Sequence, residues 1–279
     1  MPRSVALDDL RILAVTGSDR AAFLQGQLTQ DVATARPDLT VMAGWADAKG
    51  RLLFAGHLFV ARLGTDEALA LLVPADLADA LLKRLRMYIL RAKAQATLLD
   101  VPLAGLIGAP ADPGASQCVR LHGHGERHLL LGGPAAHPGD IAGPRSDWRL
   151  SDIRAGLPAV VAATTGEFVP QMVNLDLLGG ISFTKGCYTG QEIVARMKYL
   201  GRVKRRMLRF GTPGDAPAPG AQLYASRGAV GQVVTSAPAE SGSEFLAVVV
   251  VDDLPGPFFL DGTGTLPVLR LELPYEVPL

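Results

Sequence analysis

The stretch FTKGCYTGQEIVARMKYLGRVKRR, Phe183 to Arg206, sets a cysteine between two glycines just ahead of a segment with helical spacing. Ile193, Val194, Met197 and Leu200 fall on one face of that segment. Glu192 lies in its first turn, Lys198 near its last, and Gly201 stops it, so a helix is predicted there. Thr189 and Gly190 then stand at its N-terminus, where free amides and the positive end of the dipole favour an anion or a thiolate. Lys185 adds a positive charge nearby. Cys187 is therefore a candidate nucleophile, redox group or soft ligand; the other reading is a small hydrophobe packed in a tight turn that Gly186 and Gly190 permit. GGISFTKG, just upstream, has the wrong order for a phosphate loop, because Lys185 precedes Gly186 and a cysteine follows.

Outward from this stretch, composition narrows the choices. The chain has 279 residues, enough for two or three modules, and its 27 basic residues equal its 27 acidic ones. Overall charge therefore predicts neither attraction to nucleic acid nor repulsion from it. Cys118 and Cys187 are too few for a disulfide framework or for the four ligands of an iron–sulfur cluster, and they form no CxxC pair. Asp8 and Asp9 interrupt any N-terminal signal segment, and the longest apolar run, FLAVVVV, is far shorter than the roughly 20 residues that span a bilayer. A cytoplasmic protein without membrane contact is expected.

Strand and helix patterns alternate along the first 210 residues. RILAV reads as a strand, followed by a helix with Ser18 as N-cap, Asp19 at its positive end, and Phe23, Leu24 and Leu28 turned inward. LLFAGHLFVARL and ALALLVP read as strands, and ADLADALLKRLRMY repeats Leu77, Leu81, Leu85 and Tyr88 at helical spacing. RAKAQATLL, VPLAGLIG and HLLLG continue as strands between the loops GAPADPGAS and GGPAAHPGDIAGPRSD, the second a domain boundary. After Phe210, GTPGDAPAPG is a linker by composition. AQLYAS, AVGQVVTS, FLAVVVV and VLRLELP then suggest a small antiparallel barrel or sandwich.

Other candidates are more local. Arg196, Lys198, Arg202, Lys204, Arg205, Arg206 and Arg209 form a basic cluster suited to a carboxylate-rich ligand or to RNA phosphates, with no aromatic ladder interleaved; a solvated helix face leading into an edge strand explains the same residues. His122, His124 and His128 in HGHGERH sit on a hairpin-like sequence without a supporting ligand set, and no metal site is expected. Trp148, just before RLSDIRAGLP, offers a flat face to a heteroaromatic ring or serves as ordinary packing.

Together these residues resemble the YgfZ branch of the folate-binding YgfZ/GcvT family. KGCYTGQE, Lys185 to Glu192, matches that branch's K-G-C-Y-x-G-Q-E motif at every position, and VTGSDRAAFLQGQLTQDV, DAKGRLL, RLSDIRAGLPAV and FVPQMVNLDLLGGISFTKGCYTGQE support it. The resemblance implies an α+β, GcvT-like three-domain arrangement: two ferredoxin-like α+β modules around a central cavity and a C-terminal antiparallel β-barrel. The expected boundaries are 1–45 with 140–202 for a discontinuous folate-binding domain, 46–139 for the second domain, and 203–279 for the barrel. It further implies binding of tetrahydrofolate or a derivative, and support of assembly or repair of iron–sulfur enzymes, including tRNA-modifying ones. Partners would then be folate, iron–sulfur client or assembly proteins, and tRNA.

Residue by residue, Trp148 matches a tryptophan of the family's folate site, and Leu10 stands where its other tryptophan lies. Cys187 becomes the functional thiol, with Lys185, Tyr188, Gln191 and Glu192 fixing its loop. The sister aminomethyltransferase branch carries a catalytic carboxylate pair where KGRLLFAG places Phe54 and Ala55. Phenylalanine transfers no proton, so that enzyme mechanism is not expected. Two further readings stay open: a folate-dependent one-carbon transferase using Cys187 or Asp47, and direct RNA binding through residues 196–209.

Overall fold

Two strands leave the N-terminus in succession and enter different sheets. In the computed structural model, which describes residues 3–108, 117–132 and 141–278, these are β1 (Arg3–Ala6) and β2 (Leu10–Thr16). β2 joins β3 (Val41–Ala46), β4 (Leu52–Leu63), β5 (Asp66–Pro74) and β6 (Gln95–Leu99) in an antiparallel sheet of order β3-β4-β5-β2-β6. β1 joins β7 (Leu103–Ile107), β8 (Gln117–Arg120), β9 (Arg127–Leu131) and β10 (Ile141–Ala142) in a second sheet of order β10-β1-β7-β9-β8, parallel only where β1 meets β10.

Period-two alternation decides what each face meets. Ile12, Ala14, Phe59, Ala61, Ala68 and Ala70 of the first sheet share one apolar cluster with Val5, Leu103, Val119 and Leu129 of the second. The intervening residues Leu13, Val15, Leu58, Leu69 and Leu71 turn to the opposite side, where a larger core gathers Leu24 of α1 (Arg20–Gln25) and Leu77, Ala78, Leu81 and Leu85 of α2 (Ala75–Tyr88). Tyr88 ends α2 half-exposed and lies outside that buried stripe.

α3 (Arg145–Arg154) and α4 (Gln191–Tyr199) follow, then a closed antiparallel barrel. Its strands are β11 (Arg205–Thr212), β12 (Gln222–Ala225), β13 (Gly228–Pro238), β14 (Ser243–Val250), β15 (Phe258–Phe259) and β16 (Pro267–Leu271), closing in the order β11-β14-β13-β12-β15-β16. Phe210 stacks on Phe245 at 5.6 Å and meets Phe258 edge-on at 5.5 Å inside it. β14 is covered on both faces, because Phe245, Ala247 and Val249 fill the barrel while Leu246 and Val248 join the large core. That double burial is why FLAVVVV reads as an unbroken apolar run.

Several expectations are corrected here. The boundary expected at 45/46 passes through β3, whose ladder with β4 runs from Val41↔Leu58 to Ala46↔Leu52; long-range pairing groups 10–99 in one sheet and 3–6 with 103–142 in the other. The loop taken as a boundary near residue 140 lies largely outside the described residues. GTPGDAPAPG connects β11 to β12 within the barrel and is held there by Ser243 Oγ donating to the Gly214 carbonyl at 3.0 Å. Asp19, not Ser18, is the N-cap of α1; its carboxylate instead accepts the Lys93 amide at 2.7 Å, tying α1 to the bend just ahead of β6. On α4 only Val194 of the expected apolar face is fully buried, since Ile193 packs at the edge over Gly50 and Leu200 is 85% exposed.

The α3 indole lies flat on the β7 backbone, and a methyl group at Gly105 would overlap Trp148 Cε3 and Cζ3. Gly105→Ala is expected to destabilise the protein by about 2 kcal/mol or more, through overpacking at a rigid ring. Urea unfolding checks this; an unchanged midpoint would mean that the ring moves aside freely.

Candidate functional site

The signature loop is built from the inside out. The Lys185 ammonium donates to three backbone carbonyls, of Gln25 at 2.7 Å, Leu28 at 2.8 Å and Gln30 at 3.0 Å, and lies 5.2 Å from the centre of the Tyr188 ring. Burial lowers its pKa to about 8, with Asp31 opposing the shift. Tyr188 is 7% exposed, and its burial raises the phenol to about 12. Gln191 Oε1 accepts the Tyr188 amide at 3.3 Å, and the Thr189 amide donates to the Gly26 carbonyl at 3.2 Å. Gly190 takes a left-handed conformation (φ 81°) as N-cap of α4, pressed against the Asp47–Gly50 turn, where a side chain would strike the Asp47 carbonyl. Asp47 is itself committed to that turn, accepting the Lys49 amide at 2.8 Å and the Arg51 amide at 2.9 Å. Cys187 is a free, exposed thiol at the outside of this arrangement, and Glu192 is exposed in the first turn of α4.

Lys185, Cys187, Tyr188, Gln191 and Glu192 are thus brought together, whereas Trp148 and Leu10 are elsewhere. Trp148 is 4% exposed and shares its apolar cluster with the half-buried Leu10, between the two sheets. The Arg127 guanidinium lies 5.9 Å from the indole centre. From there Arg127 donates to Ser151 Oγ at 3.2 Å, to the His122 carbonyl at 3.4 Å and to the Asp152 carboxylate, while its buried Nε has no partner among the described residues. Burial raises the Asp152 carboxyl against the pull of Arg127.

The β8–β9 turn that Arg127 holds forms one wall of a cavity of about 530 Å³, also lined by Leu39, Arg120, Leu178 and Tyr275. A second cavity of about 740 Å³ shares His124 and Ala155 with it and is lined by Arg127, Asp147, Leu150 and Ser151. Trp148 therefore sits behind residues that line these two cavities and is not among the lining of either. Tyr275 reaches the first cavity from beyond the barrel, its hydroxyl donating to the Gly156 carbonyl at 2.7 Å. Thr40 props the turn from below: its Oγ1 accepts the His122 amide at 2.8 Å and meets His57 Nδ1 at 2.9 Å. His122 and His124 occupy the turn and His128 the strand, and among the described residues no group of three His, Cys, Asp or Glu side chains is arranged to hold a metal. The roles of Thr40, His57, Arg127 and Tyr275 carried no sequence signal, since each depends on a contact distant in the chain.

Comparison with known proteins fits this geometry. No family model matches the sequence. A Yersinia pseudotuberculosis protein named tRNA-modifying protein YgfZ is 32% identical over 98% of this chain and 92% of its own length. The chain belongs to the YgfZ family. A Haemophilus influenzae protein of no assigned function is likewise 32% identical, over 99% of both chains. Among solved structures, the glycine cleavage system aminomethyltransferase T from Bartonella henselae superposes with a TM-score of 0.73 at 17% identity, covering 98% of this chain and 86% of that one. The YgfZ-family chain thus has a GcvT-like fold. At its Phe54 and Ala55, both are buried in the large core on β4 and offer no titratable group.

Burial lowers the His57 pKa to about 3 from 6.5, aided by the nearby Arg127 and His122. The folded state therefore keeps this ring neutral while the unfolded chain protonates it. The associated stability is complete above pH 6.5 and is lost as pH falls toward 3, at about 1.4 kcal/mol per pH unit. His57→Gln, compared with wild type by urea unfolding at neutral and mildly acid pH, is expected to lose less stability on acidification. Parallel losses would remove His57 as the source.

Proposed function

We propose that this chain binds tetrahydrofolate or a derivative in the cavity at the β8–β9 turn and, through Cys187, supports assembly or repair of iron–sulfur enzymes that modify tRNA in the cytoplasm. The observation that carries the reading is the asymmetry of the signature loop. Lys185, Tyr188 and Gln191 are spent on holding the backbone, and the thiol is the reactive group left outside. A cysteine serving only as packing would be buried.

The residues at the cavity suit a folate. A volume of about 530 Å³ lies within the usual range for small-ligand sites. Leu39, Leu121, Leu177, Leu178 and Tyr275 supply apolar and aromatic cover for a flat ring, and His122 and His124 supply polar groups for its edge. Arg120, exposed at the rim, is placed to pair with a glutamate carboxylate. Trp148 acts in this reading through Arg127, by fixing the turn. Derivatives of tetrahydrofolate carry a one-carbon unit, and the apolar Phe54 and Ala55 leave aminomethyl transfer without the paired acids of the sister branch.

Calorimetric titration with tetrahydrofolate is expected to show saturable binding, weakened roughly tenfold by Arg120→Glu through loss of a charge-assisted hydrogen bond. Absence of binding to the wild type would remove the folate part of the reading. Separately, Cys187→Ala is expected to melt like the wild type yet fail to restore tRNA thiolation in a strain lacking the gene. Full restoration would show that the thiol is dispensable.

A further inference from the structure

The basic cluster of residues 196–209 is not one surface. Arg206, with 5% of its side chain exposed, forms a two-pronged ion pair with Asp176 at 2.7 and 3.0 Å. Arg209 is paired with Glu244 at 2.6 Å, and Arg202 lies 3.8 Å from Asp252. That leaves Arg196, Lys198, Lys204 and Arg205 exposed and, among the described residues, outside any ion pair. Lys49, on the turn beneath Gly190, is a fifth such cation. Acidic groups on this side include Glu192, Asp47 in the turn that carries Lys49, and the Asp252 carboxylate near Arg202.

The aromatic element missing from the linear sequence is supplied by the fold. Phe183, ahead of the signature loop, meets Tyr199, at the end of α4, edge to face with ring centres 6.2 Å apart. Lys198 Nζ lies 5.2 Å from the Phe183 centre. Tyr199 is nevertheless 66% exposed, and Leu200 beside it 85%. Single-stranded nucleic acid is bound where unpaired cations follow the phosphates and an exposed aromatic face accepts a base. A rigid duplex would engage the cations and leave Tyr199 unused.

We infer that the α4 surface, with Tyr199 as the stacking group and Lys198, Lys204 and Arg205 as phosphate contacts, binds an unpaired segment of RNA such as a tRNA loop. Bound there, the RNA lies along the helix whose other end carries Cys187. The inference stands on these side chains and on no part of the folate reading.

Fluorescence anisotropy of the full chain with a short labelled single-stranded RNA, and competition by bulk bacterial tRNA, tests it. Binding is expected to weaken with salt. The Lys204→Ala/Arg205→Ala variant should lower the salt slope by about 0.7 for each cation removed. Tyr199→Ala should weaken binding about tenfold or more, with Tyr199→Phe close to wild type, because the ring and not the hydroxyl stacks. All these positions are exposed, and unchanged melting curves confirm that the variants fold. No RNA binding by the wild type, wild-type affinity in Tyr199→Ala, or equal affinity for duplex RNA would each overturn the inference. Tetrahydrofolate titration of the same variants stays at the wild-type value, which separates this surface from the cavity.

Discussion

One ammonium group organises the signature region. Gln25 ends α1 and Leu28 and Gln30 follow it, and their carbonyls converge on Lys185 from a segment about 160 residues away in sequence. A buried carbonyl without a donor costs free energy comparable to a lost hydrogen bond, so the three oxygens need a group with several donors at one point, and lysine supplies three. Main-chain bonds extend the contact on both sides: Ser182 to Thr29 at 2.9 Å, and Thr189 to Gly26 at 3.2 Å. Thr29 adds its hydroxyl, donating to the Gly180 carbonyl at 2.6 Å and accepting the Gly44 amide at 2.8 Å. The position of β3, the setting of α1 and the outward aim of Cys187 all follow from this one strip of polar contacts.

What could be read from the sequence was local. KGCYTGQE announced a loop and a helix start, ADLADALLKRLRMY announced α2, and four of the six barrel strands show as short apolar runs. Strands whose partners are remote were not visible. β1 pairs with β7 and β10, and β3 completes a sheet whose centre is β5, yet neither segment alternates clearly enough to stand out. The partition of the chain depends on these pairings, which is why a boundary expected at residue 45 cut a strand.

The candidate site shows the same division. Side-chain type was legible at Lys185, Cys187 and Trp148; direction was not. An indole in an amphipathic helix seeks apolar cover, and Gly105 makes room for it against β7, so Trp148 turned inward to support Arg127. The basic cluster was legible as charge, but Asp176 and Glu244 are far enough along the chain that their claim on Arg206 and Arg209 could not be foreseen. Conversely, Phe183 and Tyr199 are 16 residues apart and carry no ladder spacing, and only the turn through Gly186 and Gly190 brings the rings together.

The cavity and the thiol are joined by a short run of chain. Leu177, Leu178 and Gly179 line the cavity, and the next residues are those bound to the 26–30 segment: Gly180 through Thr29, Ser182 through its amide, Lys185 through its ammonium. Gln30 also reaches back to the Gly179 carbonyl, so the last cavity-lining residue is already part of the polar strip. A displacement of the cavity wall at Gly179 must therefore stretch hydrogen bonds that fix Lys185, whereas Tyr199 stands at the far end of α4, a helix held separately by Gln171 donating to the Val194 carbonyl at 2.6 Å. Lys185, Tyr188 and Gln191 thus set the loop from within while Cys187 stands exposed, which is the arrangement required of a thiol that is to meet partners outside.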